Sequence, residues 1–145
     1  MSYNAMDVAK LIITDGYDRC KFVTNLRLQK LMYFVWIAYY KKKKEPLFRE
    51  PFYAWKFGPV VLSVYKEFCR FVSDPIFREY TVDISPEDAK IITDAAAEHD
   101  EDSTAALVRI THREGSPWSN AFGDGSGYNN EIPFEEIIRL ECQEL

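Results

Sequence analysis

The stretch TNLRLQKLMYFVWIAYY, residues 24–40, decides how the rest of this chain can fold. Thr24 is a good helix cap, because its hydroxyl can accept a hydrogen bond from a free first-turn amide. The ten residues Leu31–Tyr40 carry no charge. A helix that is apolar on every side is buried on every side, and a membrane span needs about 20 such residues. The stretch therefore predicts a buried central helix over 25–43 in a protein that does not enter a membrane.

The composition is typical of one globular domain. The chain has 145 residues, of which 47% are hydrophobic and 15% aromatic, and a chain of this length buries roughly 70% of its unfolded surface. We therefore expect a single domain over residues 1–145. Its three scattered cysteines show neither disulfide nor zinc spacing, and the first residues lack the layout of a signal peptide. These features predict a cytoplasmic protein with reduced thiols.

Charge is divided unevenly along the chain. Residues 1–72 hold 13 Lys/Arg and 6 Asp/Glu, a net of +7, whereas residues 73–145 hold 5 and 17, a net of −12. Either the two halves attract each other within one fold, or one surface presents charge to a partner. The total of −5 argues against nucleic acid as the main partner, because duplex binding depends on neutralising phosphates.

Caps, prolines and apolar periodicity mark the remaining helices. Residues 4–15 carry apolar side chains at helical spacing and end before Gly16, a typical stop. Gly58-Pro59 is predicted to begin a helix that ends near residue 73, since proline suits the first helical turn. Serine caps and apolar spacing predict further helices that begin after Ser85, Ser103 and Ser116 and over 133–144. We expect a mainly α protein, with about six to seven helices around the buried central one.

A small β element is predicted beside these helices. In residues 52–57, FYAWKF, alternate side chains suit the two faces of a short strand. Residues 78–83, REYTVD, are the candidate partner strand, with a loop as the alternative. We therefore expect a two-stranded element, and a flexible glycine-rich loop at Gly123–Gly127.

The sequence shows no standard enzyme signature. It has no glycine-rich phosphate loop, no Cys-x-x-Cys or His-x-x-x-His pair and no Gly-x-Ser-x-Gly elbow. We therefore expect no cofactor, no metal and no catalytic residue. His112 is the better candidate for chemistry, with Glu114 to orient it and Cys69 or Ser63 as a nucleophile. A histidine near a helix end more often caps the helix or bonds a carbonyl, so the non-enzymatic interpretation is preferred.

The aromatic residues around position 55 are better explained by binding. Tyr53, Trp55 and Phe57 alternate with residues expected in the core. Their side of the strand is therefore predicted to be partly exposed. Aromatic side chains of this kind dominate the hot spots of protein–protein interfaces, which makes them candidates for a partner surface.

Four segments match a known family pattern in order and approximate spacing. They are TNLRLQKLMYFVWIAYY at 24–40, EPFYAWKFGPVVLSVYKEF at 50–68, LVRITHREGSPWSNAF at 107–122 and IPFEEIIRL at 132–140. Together they resemble the Panacea domain family of bacterial and phage antitoxins, which includes SocA-like proteolytic adaptors and phage-associated proteins. The loop at 123–130 and the last residues, 140–145, depart from the family pattern.

The resemblance implies a mostly helical antitoxin of a toxin–antitoxin system, which binds and neutralises a cognate toxin by forming a complex. The candidate partner-binding residues are then Tyr53, Trp55, Phe57, His112 and Trp118. A second interpretation is that the motifs record the fold and that the toxin contacts lie on residues outside them. The alternatives left open are a proteolytic adaptor that delivers its partner to a protease, a small hydrolase using His112, a nucleic-acid-binding regulator and a homo-oligomer.

Overall fold

Helices dominate residues 2–143, which are the part of the chain that the computed structural model describes. The helices are α1 (Ala5–Asp18), α2 (Asn25–Lys43), α3 (Leu62–Phe68), α4 (Pro86–Ala97), α5 (Thr104–Thr111), α6 (Pro117–Phe122) and α7 (Phe134–Glu141), with a 3-10 turn at Cys69–Phe71. The strands are β1 (Phe52–Trp55), β2 (Gly58–Val61) and β3 (Glu131–Ile132), in the antiparallel order β2-β1-β3. The predicted mainly α fold is confirmed.

The central helix α2 forms with the predicted bounds. Thr24 Oγ1 accepts a hydrogen bond from the amide of Arg27 at 3.1 Å, which satisfies one of the free first-turn donors. At the other end Lys44 adopts a left-handed conformation, and its amide donates to the carbonyl of Tyr40 at 2.8 Å. Val35, in the middle of the helix, has no exposed surface. The helix is therefore the centre of the core, as its lack of charge predicts.

Three other parts of the chain contact the aromatic side chains of α2, two through rings and one through a backbone carbonyl. Trp36 stacks on Phe134 of α7 with ring centroids 4.8 Å apart, and its indole Nε1 donates to the carbonyl of Phe48 at 3.1 Å. Tyr33 meets Phe52 of β1 edge to face at 5.4 Å. Such ring pairs contribute about 0.5–1.5 kcal/mol beyond simple burial. They fix both the sheet and the last helix against α2.

The predicted helix start at Gly58-Pro59 is wrong, because these residues open strand β2. Gly58 pairs with Trp55 across a two-residue turn, and Val61 pairs with Phe52. Pro59 is tolerated because β2 is an edge strand, where a missing amide donor disturbs no ladder. The following helix, α3, begins only at Leu62.

The predicted partner strand at 78–83 is also wrong, since β1 pairs with β2 on one side and β3 on the other. The 78–83 segment is instead irregular, which confirms the loop alternative, and it runs over α1. The amide of Tyr80 donates to Thr14 Oγ1 at 2.8 Å, a side-chain contact in place of a ladder. Residues 78–83 therefore have no strand beside them with which to pair.

Two predicted helix ends shift. Helix α1 continues through Gly16 to Asp18. Gly16 does not end the helix but allows close packing, because a Cβ there would lie 2.6 Å from the carbonyl oxygen of Lys21. Helix α7 ends at Glu141. The predicted end of the last helix, Glu144, lies outside the described residues.

The basic and acidic halves of the chain meet in the fold. Lys43 at the end of α2 lies 2.9 Å from Glu87 and 3.4 Å from Asp88, at the start of α4. Arg19, just after α1, pairs with Asp100, just after α4. Pairs that are exposed to solvent contribute at most about 1 kcal/mol each. The basic first half and the acidic second half of the chain therefore pair with each other inside the fold.

Candidate partner-binding site

Two polar side chains of α2 hold the outer strand of the sheet. Strand β2 lies at the edge, and buried edge groups need hydrogen-bond partners. The amide of Val61 donates to Gln29 Oε1 at 2.9 Å, and Lys30 Nζ donates to the carbonyl of Pro59 at 2.7 Å. These two bonds position the β1–β2 hairpin against α2.

Asn25 continues this buried polar contact to α3. Its Oδ1 accepts from Gln29 Nε2 at 3.0 Å, and its Nδ2 donates to the carbonyl of Tyr65 at 3.2 Å. Asn25 and Gln29 are one helical turn apart, so both face the same side of α2. A buried polar network that is satisfied in this way fixes one arrangement of its elements.

Gly58 is required by the close approach of two side chains. Its φ is +108°, in the region that favours glycine, and a Cβ would lie 2.7 Å from both Lys30 Nζ and Thr111 Oγ1. Helix α2, the hairpin and α5 therefore meet at this residue. The Gly-Pro motif therefore marks the place where these three elements pack closely together.

His112 and Trp118 form a stacked corner behind the hairpin. Their ring centroids are 3.8 Å apart, with planes 9° from parallel. The indole Nε1 of Trp118 donates to the carbonyl of Trp55 at 2.7 Å, and only 7% of Trp118 is exposed. The corner therefore ties α5 and α6 to β1 from the inside.

An open groove lies between the start of α2, the β1–β2 turn and α3, and we name it the hairpin groove. Its volume is about 470 Å³. Its floor is buried and consists of Asn25, Gln29, Lys30 and Val60. Its rim is largely apolar and consists of Leu26, Trp55, Phe57, Tyr65, Val72 and Tyr128.

The rim exposes more apolar surface than a folded chain needs to. Phe57, Val72 and Tyr128 are 54%, 78% and 56% exposed. Exposed apolar groups gathered at one concave place mark binding sites for proteins or ligands. The hairpin groove is therefore the strongest candidate site in the described residues.

The rim aromatics are held by one another and by the loop after α6. Trp55 contacts Tyr65 edge to face at 4.8 Å and stacks against Tyr128 at 6.0 Å. Its indole Nε1 donates to Asn129 Oδ1 at 2.9 Å. The amide of Asn129 in turn donates to the carbonyl of Ala54 at 2.7 Å. The loop therefore carries Tyr128 as a positioned part of the rim.

Lys30 gives the floor of the groove an unusual electrostatic character. Burial lowers the pKa of Lys30 to about 7, because a buried ammonium loses its hydration. Pro59 supplies one acceptor, and within residues 2–143 no carboxylate forms an ion pair with Lys30. No Asp or Glu lines the groove, whereas Lys30 and Lys56 both do. The groove therefore has a largely apolar rim, one buried lysine in its floor and no carboxylate among its lining residues.

His112 is placed for packing and not beside a nucleophile. Burial and the nearby charge of Lys30 lower the pKa of His112, while the backbone of Lys56 acts the other way. Cys69 is engaged elsewhere, since its Sγ donates to the carbonyl of Lys66 at 3.2 Å. Among the described residues neither Cys69 nor Ser63 contacts His112. The geometry gives no support to the hydrolase alternative.

The candidate residues from the sequence fall into three places. Trp55 and Phe57 lie on the rim of the hairpin groove. Tyr53 is half-buried and lines a separate shallow depression beside Lys66. His112 and Trp118 form the corner behind the hairpin. The structure thus forms two pairs from the five, Trp55 with Phe57 on the groove rim and His112 with Trp118 behind it, and leaves Tyr53 apart.

Sequence reasoning missed the floor and most of the rim. Gln29 and Lys30 carried a signal, because two polar residues interrupt the apolar face of a helix that must be buried. Leu26, Val72 and Tyr128 carried none, since each sits in a different part of the chain. Only the fold brings those three side chains to one place.

The described residues contain neither a metal-binding cluster nor a helix that could span a membrane. Across residues 2–143 no group of three or more His, Cys, Asp or Glu side chains could hold a metal ion. No helix in the same range is long and apolar enough to cross a membrane.

The comparisons with known proteins identify the class. The family model described as "Antitoxin SocA-like, Panacea domain" matches residues 28–119, more than half of the chain, and the chain belongs to this family of antitoxins. Antitoxin SocA of Caulobacter vibrioides (strain NA1000 / CB15N) is 30% identical over 141 residues, which cover 88% of this chain and 74% of that protein. No solved structure matches the chain significantly. The family predicted from the four segments is confirmed.

Proposed function

We propose that this protein is an antitoxin that binds a cognate toxin protein and neutralises it by forming a complex, and that the hairpin groove is where the toxin docks. Membership of an antitoxin family supports the role. The exposed apolar rim of the groove is the observation that supports this docking site. In this proposal the protein acts in the cytoplasm as a single domain and is not an enzyme.

The groove suits a protein partner for energetic reasons. Burying a rim side chain such as Phe57 or Tyr128 releases about 25 cal/mol per Å² of apolar surface, and both are more than half exposed in the free chain. Trp55 and Tyr65 hold the rim in place before binding, so little side-chain entropy is lost on association. A preformed aromatic surface of this kind is typical of interface hot spots.

Another depression near α1 is a poorer candidate. It has a volume of about 330 Å³ and is lined by both acidic and basic side chains. Its Arg19 and Asp100 already pair with each other. A partner would have to break such pairs, whereas the rim of the hairpin groove is free to be covered.

Co-expression with the neighbouring gene product tests the proposal. The antitoxin should restore growth of cells that express the toxin, and the two proteins should co-purify. Phe57→Ala and Tyr128→Ala should each weaken the complex by about tenfold or more, as expected for hot-spot residues. Phe77→Ala is the matched control, because Phe77 is 53% exposed, close to the 54% of Phe57, and lies outside the groove.

The same experiment separates the alternatives. Toxin that remains at a constant level while growth recovers indicates neutralisation by complex formation. Toxin that disappears in the presence of the antitoxin indicates delivery to a protease. No rescue and no co-purification would refute the proposal, and equal loss of binding in the Phe57 and Phe77 variants would refute the groove as the site.

A further inference from the structure

We propose that Val72 is an anchor residue of the toxin interface, and that its side chain enters an apolar pocket on the toxin when the toxin covers the hairpin groove. This inference rests on the proposed function and names both a contact residue and the kind of surface that it fits. The occupant of the groove is therefore a toxin face with an apolar hollow.

The exposure of Val72 is the first argument. Its side chain is 78% exposed, and no other large apolar side chain among residues 2–143 is exposed as much. It lines the hairpin groove together with Phe57 and Tyr128. Packing within this chain therefore does not explain why a branched apolar side chain occupies this position.

The backbone of Val72 is the second argument. The amide of Asp74 donates to the carbonyl of Phe71 at 2.9 Å, which closes a β-turn over residues 71–74. Val72 has φ of +56° and ψ of −117°, the angles of a type II′ turn at a position that glycine dominates. A β-branched residue is an outlier there, and Val72 is the only one with a positive φ in the described part of the chain. Glycine would therefore suit the fold better than valine does.

Contacts on both sides of the turn hold it in this conformation. Before the turn, Phe68 has no exposed surface, and its ring lies against that of Phe71 with centroids 6.3 Å apart. After the turn, Ile76 has no exposed surface, and its amide donates to the carbonyl of Val23 at 2.7 Å. Strained residues persist where the surrounding structure fixes them, and they cluster at functional sites. The turn therefore holds the Val72 side chain out in solvent at the edge of the groove.

The lining of the groove defines the surface that can cover Val72. Leu26 and Phe57 are also exposed, Lys56 is the exposed charged side chain, and no carboxylate lines the groove. A toxin face that is apolar and has no cation opposite Lys56 complements this lining. Covering the isopropyl group of Val72 removes apolar surface from water, and its fixed backbone leaves little freedom to lose on binding.

Two substitutions at Val72 separate binding from folding. Val72→Gly relieves the strain and removes the side chain, so its urea midpoint should rise by about 0.2–0.5 M, although the freedom of glycine in the unfolded chain offsets part of the gain. Its affinity for the toxin should fall by about tenfold. Val72→Thr keeps the branched shape and the strain, but it places a hydroxyl in the apolar pocket. Its urea midpoint should stay unchanged, while its affinity should fall by about threefold or more.

Calorimetry of the purified antitoxin with the neighbouring toxin that it rescues measures the affinity, and urea unfolding of the antitoxin alone measures the midpoint. Cys20→Gly is the matched control. Cys20 is also exposed, also has a positive φ, of +58°, and lies outside the groove. Its urea midpoint should rise as that of Val72→Gly does, but its affinity for the toxin should stay at the wild-type value.

The outcomes that would overturn the inference are distinct from those that test the proposed function. Wild-type affinity in either Val72 variant, while Phe57→Ala binds more weakly, would overturn this inference and leave the proposed function standing. A urea midpoint that falls in Val72→Gly would also overturn it, because the valine would then stabilise the fold. No binding by the wild-type protein would overturn both. Self-association that Val72→Gly abolishes, seen as a concentration-dependent mass, would make a second copy the occupant and overturn the inference.

Discussion

Replacing Lys30 by methionine should stabilise the folded protein at neutral pH and change how its stability depends on pH. Burial lowers the pKa of Lys30 from 10.5 to about 7. The unfolded chain therefore binds this proton more tightly than the folded chain does. A methionine side chain is one heavy atom shorter, fills most of the same space and never carries the charge.

The size of the effect follows from the two pKa values. At pH 7 and below, the lysine lowers the free energy of unfolding by about 4–5 kcal/mol, and at pH 9 by about 2 kcal/mol. Between pH 7 and 10.5 the folded state has released the proton and the unfolded state has not, so the penalty declines as pH rises. Above 10.5 it disappears. Methionine leaves the carbonyl of Pro59 without its partner, which costs about 1–3 kcal/mol at every pH.

Urea unfolding of the wild-type protein and the Lys30→Met variant at pH 7, 8 and 9 measures this difference. The advantage of the methionine variant should shrink by about 2 kcal/mol from pH 7 to pH 9. Measuring above pH 7 keeps His112 neutral, since its pKa is already lowered. A difference between the two proteins that stays constant over this range would refute the reasoning that burial lowers the pKa of Lys30.

Three further substitutions test the core, the hairpin and the corner. Val35→Asp should unfold the protein outright, because an unpaired charge at a position with no exposed surface costs several kcal/mol; a native-like circular dichroism spectrum would contradict this. Gly58→Ala should lower the free energy of unfolding by about 2–4 kcal/mol in urea, through the positive φ and the two 2.7 Å contacts of a Cβ. An unchanged urea midpoint would mean that α2, the hairpin and α5 pack less closely around Gly58 than the structure shows. His112→Ala should lower the melting temperature by roughly 3–6 °C through loss of the stack on Trp118. His112→Phe keeps a ring in place and should retain most of the wild-type melting temperature. An unchanged melting temperature in His112→Ala would show that the stack of His112 on Trp118 does not stabilise the fold.

The helices could be predicted because their signals are local. Thr24 at the start of α2 and the pairs Ser85-Pro86 and Ser116-Pro117 satisfy amides within one turn of themselves. Such contacts need no knowledge of the rest of the fold. The apolar run after Leu31 likewise indicates burial wherever the helix is placed.

The sheet could not be predicted in full, because a strand is defined by its neighbour. Gly58-Pro59 has the pattern of a helix start, and only the pairing of residues 58–61 with β1 overrides it. Residues 78–83 are the candidate partner strand in the sequence, but in the described structure they lie against α1, where no strand is present to pair with them. The third strand has only two residues, Glu131–Ile132, which is too short for any periodic signal.

The groove shows why the family can be recognised more easily than the binding site. The family match covers residues 28–119, a range that includes Gln29, Lys30 and Gly58, whose spacing the fold itself requires. Leu26 and Tyr128 complete the rim from outside that range. The floor thus follows from the packing of α2 against the hairpin, while these rim positions can change without disturbing a buried contact. In the proposed complex, central helix α2 therefore acts indirectly, because it places a buried floor beneath a rim whose exposed side chains would meet the partner.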